Sequence, residues 1–306
     1  MAPTSTTFIG LLRSQRATAG AFLEALRPGQ WVKNGFVFAA LIFARNLGDW
    51  RADVLVVLAA YVFCEVASAV YLMNDVLDVA EDRQHPVKSL RPIAAGRLAP
   101  STAVFAAVTL GAAGLFTAWT LSREFFLVVF LYAATNLAYS LYLKHIVLVD
   151  VFVIASGFVL RVLGGALAIH VEISAWLIVC TTLLALFLAL SKRRHELVLL
   201  GENAAHHRSN LTHYSPYLLD QLIAIVTAST LMSYVLYTLS DDVHTKFPGK
   251  RLELTVPFVL FGIFRYLYLV HQREEGGNPA RLLFSDPVLL AVVLMWAASV
   301  VVIIYL

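Results

Sequence analysis

"YLMNDVLDVAED", residues 71–82, ends a long apolar run with an abrupt change of chemistry. Four carboxylates fall within the eight residues from 75 to 82, and several cations follow them. The residues before this stretch resemble the interior of a lipid bilayer, which a helix of about 20 apolar residues can cross. The stretch therefore predicts a membrane helix whose end carries an acidic face.

The composition of the whole chain supports a membrane protein. The chain has 306 residues, of which 59% are hydrophobic and 14% are charged. Ordinary soluble domains are about 45–50% apolar and about 25% charged. Cys64 and Cys180 both lie in apolar runs, so we expect core thiols instead of a disulfide framework or a metal site. No cleaved signal peptide is expected at the N-terminus.

The apolar segments predict an all-α bundle of about nine transmembrane helices in a single integral-membrane domain covering residues 1–306. Residues 1–31 are weakly amphipathic and basic, and we expect them to lie along the membrane surface. The nine segments lie near residues 32–45, 54–74, 101–121, 125–143, 146–169, 173–190, 217–240, 252–271 and 287–306.

The positions of lysine and arginine predict the orientation. Fifteen of these residues fall on the side of the N-terminus and six on the opposite side, while Arg161 and Arg265 lie within predicted spans. Cytoplasmic loops carry the excess of lysine and arginine in membrane proteins. We therefore predict a multi-pass plasma-membrane protein with the N-terminus and the acidic stretch in the cytoplasm, and the C-terminus outside.

The spacing of the acidic stretch predicts a magnesium site. Asn74, Asp78 and Asp82 follow one another at intervals of four residues, and Asp75 precedes Asp78 by three. If the helix continues, these side chains share one face, where carboxylates repel one another unless a cation lies between them. Oxygen ligands of this kind suit Mg²⁺, which completes its shell with water and phosphate. The alternative is a helix end whose charges only face water.

Cations after the acidic stretch favour the magnesium interpretation. Lys88 and Arg91 follow within ten residues of Asp82 and could bind the phosphates that accompany the metal.

A second polar group flanks the predicted turn between the fourth and fifth spans. Tyr142, Lys144 and Asp150 lie there on the cytoplasmic side, and Arg161 follows three helical turns deeper. Charged residues inside a span usually face the bundle interior or a water-filled cavity. A structural ion pair of Asp150 with Arg161 or Lys144 is the alternative. We favour a binding role for Lys144 and Asp150 and leave the role of Arg161 open.

Two further cytoplasmic stretches add cations. "RPGQWVKN", residues 27–34, contains Arg27 and Lys33, and "FLALSKRRHE", residues 187–196, contains Lys192 followed by Arg193 and Arg194. The last two arginines are equally expected from the charge asymmetry across the membrane. The histidines show no spacing typical of a metal site.

These motifs resemble a known family. "NDVLDVAED" follows the pattern NDxxDxxxD, and together with nine spans it resembles the UbiA superfamily of intramembrane prenyltransferases. "RPGQWVKN", "DRQHPVKSLRPIAAG", "YSLYLKHIVLVD" and "FLALSKRRHE" resemble the decaprenyl-phosphate phosphoribosyltransferase branch of that superfamily. The resemblance in motifs runs from about residue 25 to about residue 200.

The resemblance implies a reaction. The phosphoribosyl group of phosphoribosyl pyrophosphate would be transferred to a polyprenyl phosphate of the decaprenyl type, releasing pyrophosphate and supplying a precursor of cell-wall arabinan. Asn74, Asp78 and Asp82 would bind Mg²⁺, and Asp75 would complete the catalytic set. The implied substrate-binding residues are Arg27, Lys33, Lys88, Arg91, Tyr142, Lys144, Asp150, Arg161 and Lys192.

The second motif departs from the superfamily pattern. Many members have two aspartates there, in the pattern DxxxD, whereas this chain has only Asp150, which puts a second metal in doubt. The expected partners are the two substrates and the bilayer. Nucleic acid is not expected, and self-association is left open.

The sequence leaves three other functions open. The first is a prenyltransferase that moves a polyprenyl group from its diphosphate to an aromatic or haem acceptor. The second is an ion-coupled transporter, against which the cytoplasmic location of most charge clusters argues. The third is a scaffold without an active site, which would leave the shared acidic face unexplained.

Overall fold

The computed structural model describes residues 19–200, 213–273 and 276–306, and within these ranges the chain consists of helices and their connections. Part of the segment predicted to lie along the membrane, residues 1–18, is outside the described residues. Residues 19–25 are helical.

Eight helices in the described ranges are long and apolar enough to cross a membrane. This confirms the prediction of an all-α, polytopic membrane protein. The helices are α1 (Trp50–Leu77), α2 (Pro100–Leu121), α3 (Arg123–Leu141), α4 (Val149–Ala168), α5 (Ala175–Leu200), α6 (Pro216–Thr238), α7 (Val256–Gln272) and α8 (Pro287–Tyr305).

The greatest difference in helix length lies at the end of α5. The apolar pattern predicts an end near residue 190, but the helix continues to Leu200. Its last turns carry charges of both signs, and Glu196 pairs with Lys192 four residues earlier and with Arg193 three residues earlier. Such pairs stabilise a helix outside its apolar segment.

The first predicted span, near residues 32–45, has a different form. It consists of an 11-residue 3₁₀ helix, Pro28–Phe38, followed by a five-residue α-helix, Ala39–Phe43. Glycines at 29 and 35 and polar residues at 30, 33 and 34 disfavour a regular apolar α-helix here. At about 2.0 Å per 3₁₀ residue and 1.5 Å per α residue, the segment is about 30 Å long. Within the described ranges, eight regular spans are therefore found where nine were predicted, and the first predicted segment is helical but irregular.

The chain divides into two compact units. The first comprises Met1–Val32 and Tyr61–Ser140. In it, the ring of Phe63 on α1 contacts the rings of Phe125 and Tyr132 on α3, with centroids 6.0 and 5.4 Å away. Gly114 of α2 lies so close to Val66 that an added Cβ would come within 2.7 Å of the valine side chain. Glycine therefore allows the close contact of α2 with α1 at this position.

The second unit comprises Lys33–Ala60 and Leu141–Leu306. Its apolar core is formed mainly by α4, α5, α6 and α7. Gly165 of α4 allows the 3₁₀ segment to approach, because an added Cβ would lie 1.9 Å from the carbonyl oxygen of Val37. A single domain covering the whole chain stays a prediction.

Candidate functional site

The acidic stretch forms the end of α1 and the short helix after it, Val79–Gln84, with Asp78 at the joint. Helical hydrogen bonds continue across this joint. The Asp78 amide donates to the Asn74 carbonyl at 2.9 Å, and the Asp82 amide donates to the Asp78 carbonyl at 2.8 Å. Asn74, Asp78 and Asp82 therefore keep neighbouring positions along one face, which is the arrangement that the predicted site requires.

Two arginines contact the buried carboxylates of this stretch. Arg91 Nη1 donates to Asp75 Oδ1 at 3.0 Å and to Asp82 Oδ2 at 2.6 Å, and Arg27 Nη2 also donates to Asp75 Oδ1. The two aspartates are almost fully buried, whereas each arginine side chain is 24% exposed. A guanidinium between two carboxylates offsets their mutual repulsion. We call these four residues the Arg91 cluster.

Contacts of its own segment hold Arg27 in place. Arg27 has a φ of 54°, in the left-handed region that side chains adopt rarely. On either side of it, Trp31 Nε1 donates to Ser68 Oγ at 3.1 Å, and Ser68 Oγ donates to the Leu26 carbonyl at 3.1 Å. Burial lowers the pKa of Arg27, and the Asp75 carboxylate opposes this shift. Arginine nevertheless stays charged at neutral pH.

The oxygen donors of the acidic stretch fit a magnesium ion that arrives with a phosphate ligand. Asn74 Nδ2 donates a hydrogen bond to Asp78 Oδ2 at 3.0 Å. This bond uses the nitrogen of the Asn74 amide, so the amide oxygen can serve as a metal ligand. In the described ranges, no group of three or more His, Cys, Asp or Glu side chains is already arranged to hold a metal. Mg²⁺ commonly takes only one or two carboxylates and fills its other positions with water and substrate phosphate. Asn74, Asp78 and Asp82 match that donor set.

Two other cations of the first unit differ in their surroundings. Lys88 begins a short 3₁₀ turn, Lys88–Leu90, directly before Arg91, and it is half-buried. Arg97 forms two bonds to the Glu24 carboxylate, at 2.6 and 2.9 Å, and both side chains are about half exposed. Lys88 therefore stays a candidate for binding substrate, whereas Arg97 forms a surface ion pair.

In the second unit, Asp150 is bound by residues that the sequence analysis did not assign to it. Arg193 Nε donates to Asp150 Oδ2 at 2.6 Å, and the Tyr214 hydroxyl donates to Asp150 Oδ1 at 2.9 Å. The exposed fraction is 0% for the Asp150 side chain and 1% for Arg193. These two bonds come from Arg193 and Tyr214 and not from the alternative partners expected from the sequence, Arg161 and Lys144. We call Asp150, Arg193 and Tyr214 the Arg193 cluster.

Neighbouring groups complete this cluster. Burial raises the pKa of Tyr214 to about 12. The phenol therefore stays protonated and donates a hydrogen bond to Asp150. Arg193 Nη1 also donates to Glu196, whose other oxygen lies 3.6 Å from Lys192 Nζ. Lys192 is 40% exposed, so it remains accessible at the end of α5.

Arg161 has structural partners deep in α4. Its Nε donates to Asn34 Oδ1 at 2.7 Å, and its Nη1 donates to the Gly157 carbonyl at 2.8 Å. The arginine is buried, and Asn34 is the buried residue next to the half-buried Lys33. These contacts favour the structural alternative for Arg161, because its charge is solvated by protein oxygens inside a span.

The remaining predicted residues lie in the connection between α3 and α4. Tyr142 is 72% exposed, and Lys144 belongs to a one-turn 3₁₀ helix, Leu143–His145, and is half-buried. Both side chains can therefore reach a ligand outside the core of the second unit. Substrate binding by Tyr142 and Lys144 stays a prediction.

Three partners were not predicted from the sequence: Asn34, Arg193 and Tyr214. Asn34 lies inside the quoted motif "RPGQWVKN", and Arg193 lies inside "FLALSKRRHE", so both were visible but not assigned. Tyr214 is 64 residues from Asp150 along the chain. No local pattern marks it, because its importance follows from a tertiary contact.

Comparison with known proteins identifies relatives over nearly the full chain. The sequence profile of the UbiA prenyltransferase family matches residues 35–195. The decaprenyl-phosphate phosphoribosyltransferase of Corynebacterium glutamicum is 35% identical over 293 residues, which cover 94% of this chain and 88% of that protein. The protein of the same name from Mycobacterium tuberculosis is also 35% identical, over 91% of this chain and 92% of its own length.

Solved structures share the fold. The structure of a UbiA homolog from Archaeoglobus fulgidus bound to DMAPP and Mg²⁺ matches with a TM-score of 0.69. The match covers 92% of this chain and 99% of that one, at 18% sequence identity. At this identity the likeness concerns the fold alone.

Proposed function

The chain belongs to the UbiA prenyltransferase family, and we propose that it transfers a phosphoribosyl group from phosphoribosyl pyrophosphate to a polyprenyl phosphate. The observation that carries this proposal is the 35% identity to enzymes named decaprenyl-phosphate phosphoribosyltransferase, which extends over 94% of this chain. The cations around the acidic stretch add physical support, because this reaction brings more anionic groups together than prenyl transfer from a diphosphate does.

The acidic end of α1 is the proposed binding site for the diphosphate of the phosphosugar. Asn74, Asp78 and Asp82 would hold Mg²⁺, which when bound offsets the negative charge of a pyrophosphate leaving group. Arg91 and Arg27 each keep further N–H donors beyond those that contact Asp75 and Asp82, and a guanidinium binds phosphate oxygens in pairs. Lys88 would add a third cation on the same stretch.

In the proposed reaction, one bond at the anomeric carbon of ribose replaces another. A phosphate oxygen of the polyprenyl phosphate forms the new bond to this carbon, and the bond to the pyrophosphate oxygen breaks. The attacking oxygen is already ionised at neutral pH, so no strong general base is needed. The protein would contribute mainly by positioning the two anions and by stabilising charge. The product would serve as a precursor for arabinan of the cell wall.

For the lipid phosphate we propose the accessible cations of the second unit. Lys144 follows α3 and is half-buried, and Lys192 lies in the last turns of α5 with a side chain that is 40% exposed. Asp150 is held between Arg193 and Tyr214, so an indirect role as a positioning residue fits it better than direct contact with a substrate. For Arg161, its bonds to Asn34 and Gly157 support a structural role.

An omission series with purified protein tests the function. Pyrophosphate release should require phosphoribosyl pyrophosphate, a polyprenyl phosphate and Mg²⁺ together, and leaving out any one should reduce release to background. Equal release without the lipid phosphate would indicate hydrolysis of the phosphosugar and would contradict the proposal.

We also propose that the acidic stretch faces the cytoplasm, on the basis of the fifteen-to-six distribution of lysine and arginine. Single cysteines at the exposed positions Gln84 and Thr245 test this, in a background with Cys64 and Cys180 replaced. A membrane-impermeant maleimide added to intact cells should label position 245 and leave position 84 unlabelled until the cells are opened. The opposite pattern would make a cytoplasmic phosphosugar substrate impossible.

A further inference from the structure

The connection between α3 and α4 ends in an unusual backbone conformation. Leu148, the residue before α4, has a φ of 66° and a ψ of −40°. This region is sparsely populated for residues other than glycine, and it costs about 1–3 kcal/mol to hold a residue there. Other contacts must therefore maintain this conformation.

The Tyr214 hydroxyl supplies such a contact. It accepts a hydrogen bond from the Leu148 amide at 2.7 Å and donates one to Asp150 Oδ1 at 2.9 Å. One hydroxyl thus joins the strained residue to the first turn of α4. Arg193 binds the other oxygen of Asp150 at 2.6 Å, so the carboxylate is fixed from both sides. The Tyr214 ring is buried in the apolar core of the second unit, which anchors the hydroxyl.

We propose that Tyr214 is a positioning residue that holds the connection of residues 142–148 in the shape needed to bind the phosphate of the lipid substrate. The inference rests on the proposed function, because Lys144 of this connection is assigned to that phosphate. The two hydrogen bonds of the Tyr214 hydroxyl go to the Leu148 amide and the Asp150 carboxylate, and neither partner is assigned to the substrate phosphate. Its effect on the substrate is therefore indirect.

Replacing Tyr214 by phenylalanine removes the hydroxyl and keeps the buried ring. Arg193 still binds Asp150 Oδ2 when the hydroxyl is absent, and the ring keeps its place in the apolar core, so the fold is expected to survive. A matched control is Tyr234→Phe. The Tyr234 hydroxyl is also buried, lies 2.6 Å from Thr255 Oγ1 and accepts a bond from Trp296 Nε1 at 2.8 Å, and it has no contact with the connection in these bonds.

Hydrogen–deuterium exchange of the purified protein tests the contact without any substrate. In the wild-type protein, the peptide spanning residues 142–150 should contain a protected amide at Leu148, although this residue precedes the helix. Tyr214→Phe should accelerate exchange of that peptide by about tenfold, which corresponds to the loss of one hydrogen bond. Tyr234→Phe should leave it unchanged. An unprotected Leu148 in the wild-type protein, or equal exchange in both variants, would overturn the inference.

Steady-state kinetics test the consequence for binding. Tyr214→Phe should raise the KM for polyprenyl phosphate by about five- to tenfold and change the KM for phosphoribosyl pyrophosphate by less than about twofold. A general loss of structure would lower kcat and affect both substrates alike. Faster exchange with unchanged KM for the lipid phosphate would refute the positioning role.

The two measurements separate this inference from the proposed function. If the wild-type protein does not use the phosphosugar and lipid phosphate pair, the proposed function fails, and the assignment of the lipid phosphate to this connection fails with it. The exchange experiment would still decide whether Tyr214 fixes the connection. A positive transferase assay combined with unchanged exchange would remove only the Tyr214 inference.

Discussion

The Arg91 cluster and the Arg193 cluster both pair buried aspartates with arginine, but they differ in exposure. The Arg91 side chain is 24% exposed and bridges two carboxylates, whereas Arg193 is 1% exposed and binds an aspartate that is 0% exposed. Water and a ligand can reach Arg91, but Arg193 is enclosed by protein. We therefore expect the first cluster to exchange carboxylate contacts for phosphate contacts and the second to maintain the local structure.

The costs of charge burial explain why this difference matters. A buried ion pair is costly to break, because removing one partner leaves the other charge without compensation. Replacing the partner of a partly exposed arginine costs less free energy, because water solvates part of the arginine charge. An enzyme that binds and releases anions therefore needs the first arrangement at its binding site. The second arrangement suits a place that must keep its geometry throughout the reaction.

The largest effect is expected at the proposed metal-binding face of Asn74, Asp78 and Asp82. Asp78→Asn should lower turnover by about 1000-fold, because the loss of several kcal/mol of charge stabilisation corresponds to that factor. The melting temperature should change little, since Asp78 lies at a helix joint and is half-buried. Glu81→Gln removes an exposed carboxylate from the same stretch and is the matched control. Activity of Asp78→Asn close to that of the control, with unchanged dependence on Mg²⁺, would exclude Asp78 as a ligand.

The next effect concerns stability and the Arg193 cluster. Arg193→Gln leaves the Asp150 charge buried without its partner, which should cost about 3–5 kcal/mol of unfolding free energy. Lys192→Gln, at the adjacent exposed position, should cost less than about 1 kcal/mol. Thermal or denaturant unfolding in detergent measures both values. If the two variants were equally stable, the proposed difference between exposed and buried arginines would not hold.

A smaller effect is expected for Arg91 itself. Arg91→Gln should weaken the use of phosphoribosyl pyrophosphate by about 1.5–3 kcal/mol, the contribution of a charge-assisted hydrogen bond. This corresponds to a rise of about ten- to 150-fold in the KM for that substrate. Arg97→Gln disrupts an exposed ion pair of the same unit and should change this KM by less than about fivefold. Similar KM values for the two variants would show that Arg91 serves only to bridge Asp75 and Asp82.

Local patterns in the sequence predicted much of the fold. Apolar segments of about 20 residues located the eight regular spans, because crossing a bilayer fixes both length and composition. The first segment departed from its prediction, since glycine and polar residues within residues 28–38 favour a 3₁₀ helix over a regular span. Its form also depends on the close approach of Gly165 to Val37, a contact that the local sequence cannot indicate.

The candidate site was predictable where its residues are near one another in the chain. Asp75, Asp82 and Arg91 lie within 17 positions, and the structure brings them together. The partner of Asp150 was not predictable in the same way. Arg193 is 43 residues away, and its charge had an equally good explanation in the asymmetry across the membrane. Tertiary contacts, and not spacing, select which of several nearby cations pairs with a buried carboxylate.

Two substrate pairs, supplied to the same purified protein with Mg²⁺, distinguish phosphoribosyl transfer from prenyl transfer. One mixture contains phosphoribosyl pyrophosphate and a polyprenyl phosphate, and the other contains a polyprenyl diphosphate and an aromatic acid. Mass spectrometry of the extracted lipid should detect polyprenyl phosphoryl-phosphoribose in the first mixture and no prenylated acid in the second. Prenylated acid from the second mixture, with no phosphoribosylated lipid from the first, would contradict the account and identify a prenyltransferase.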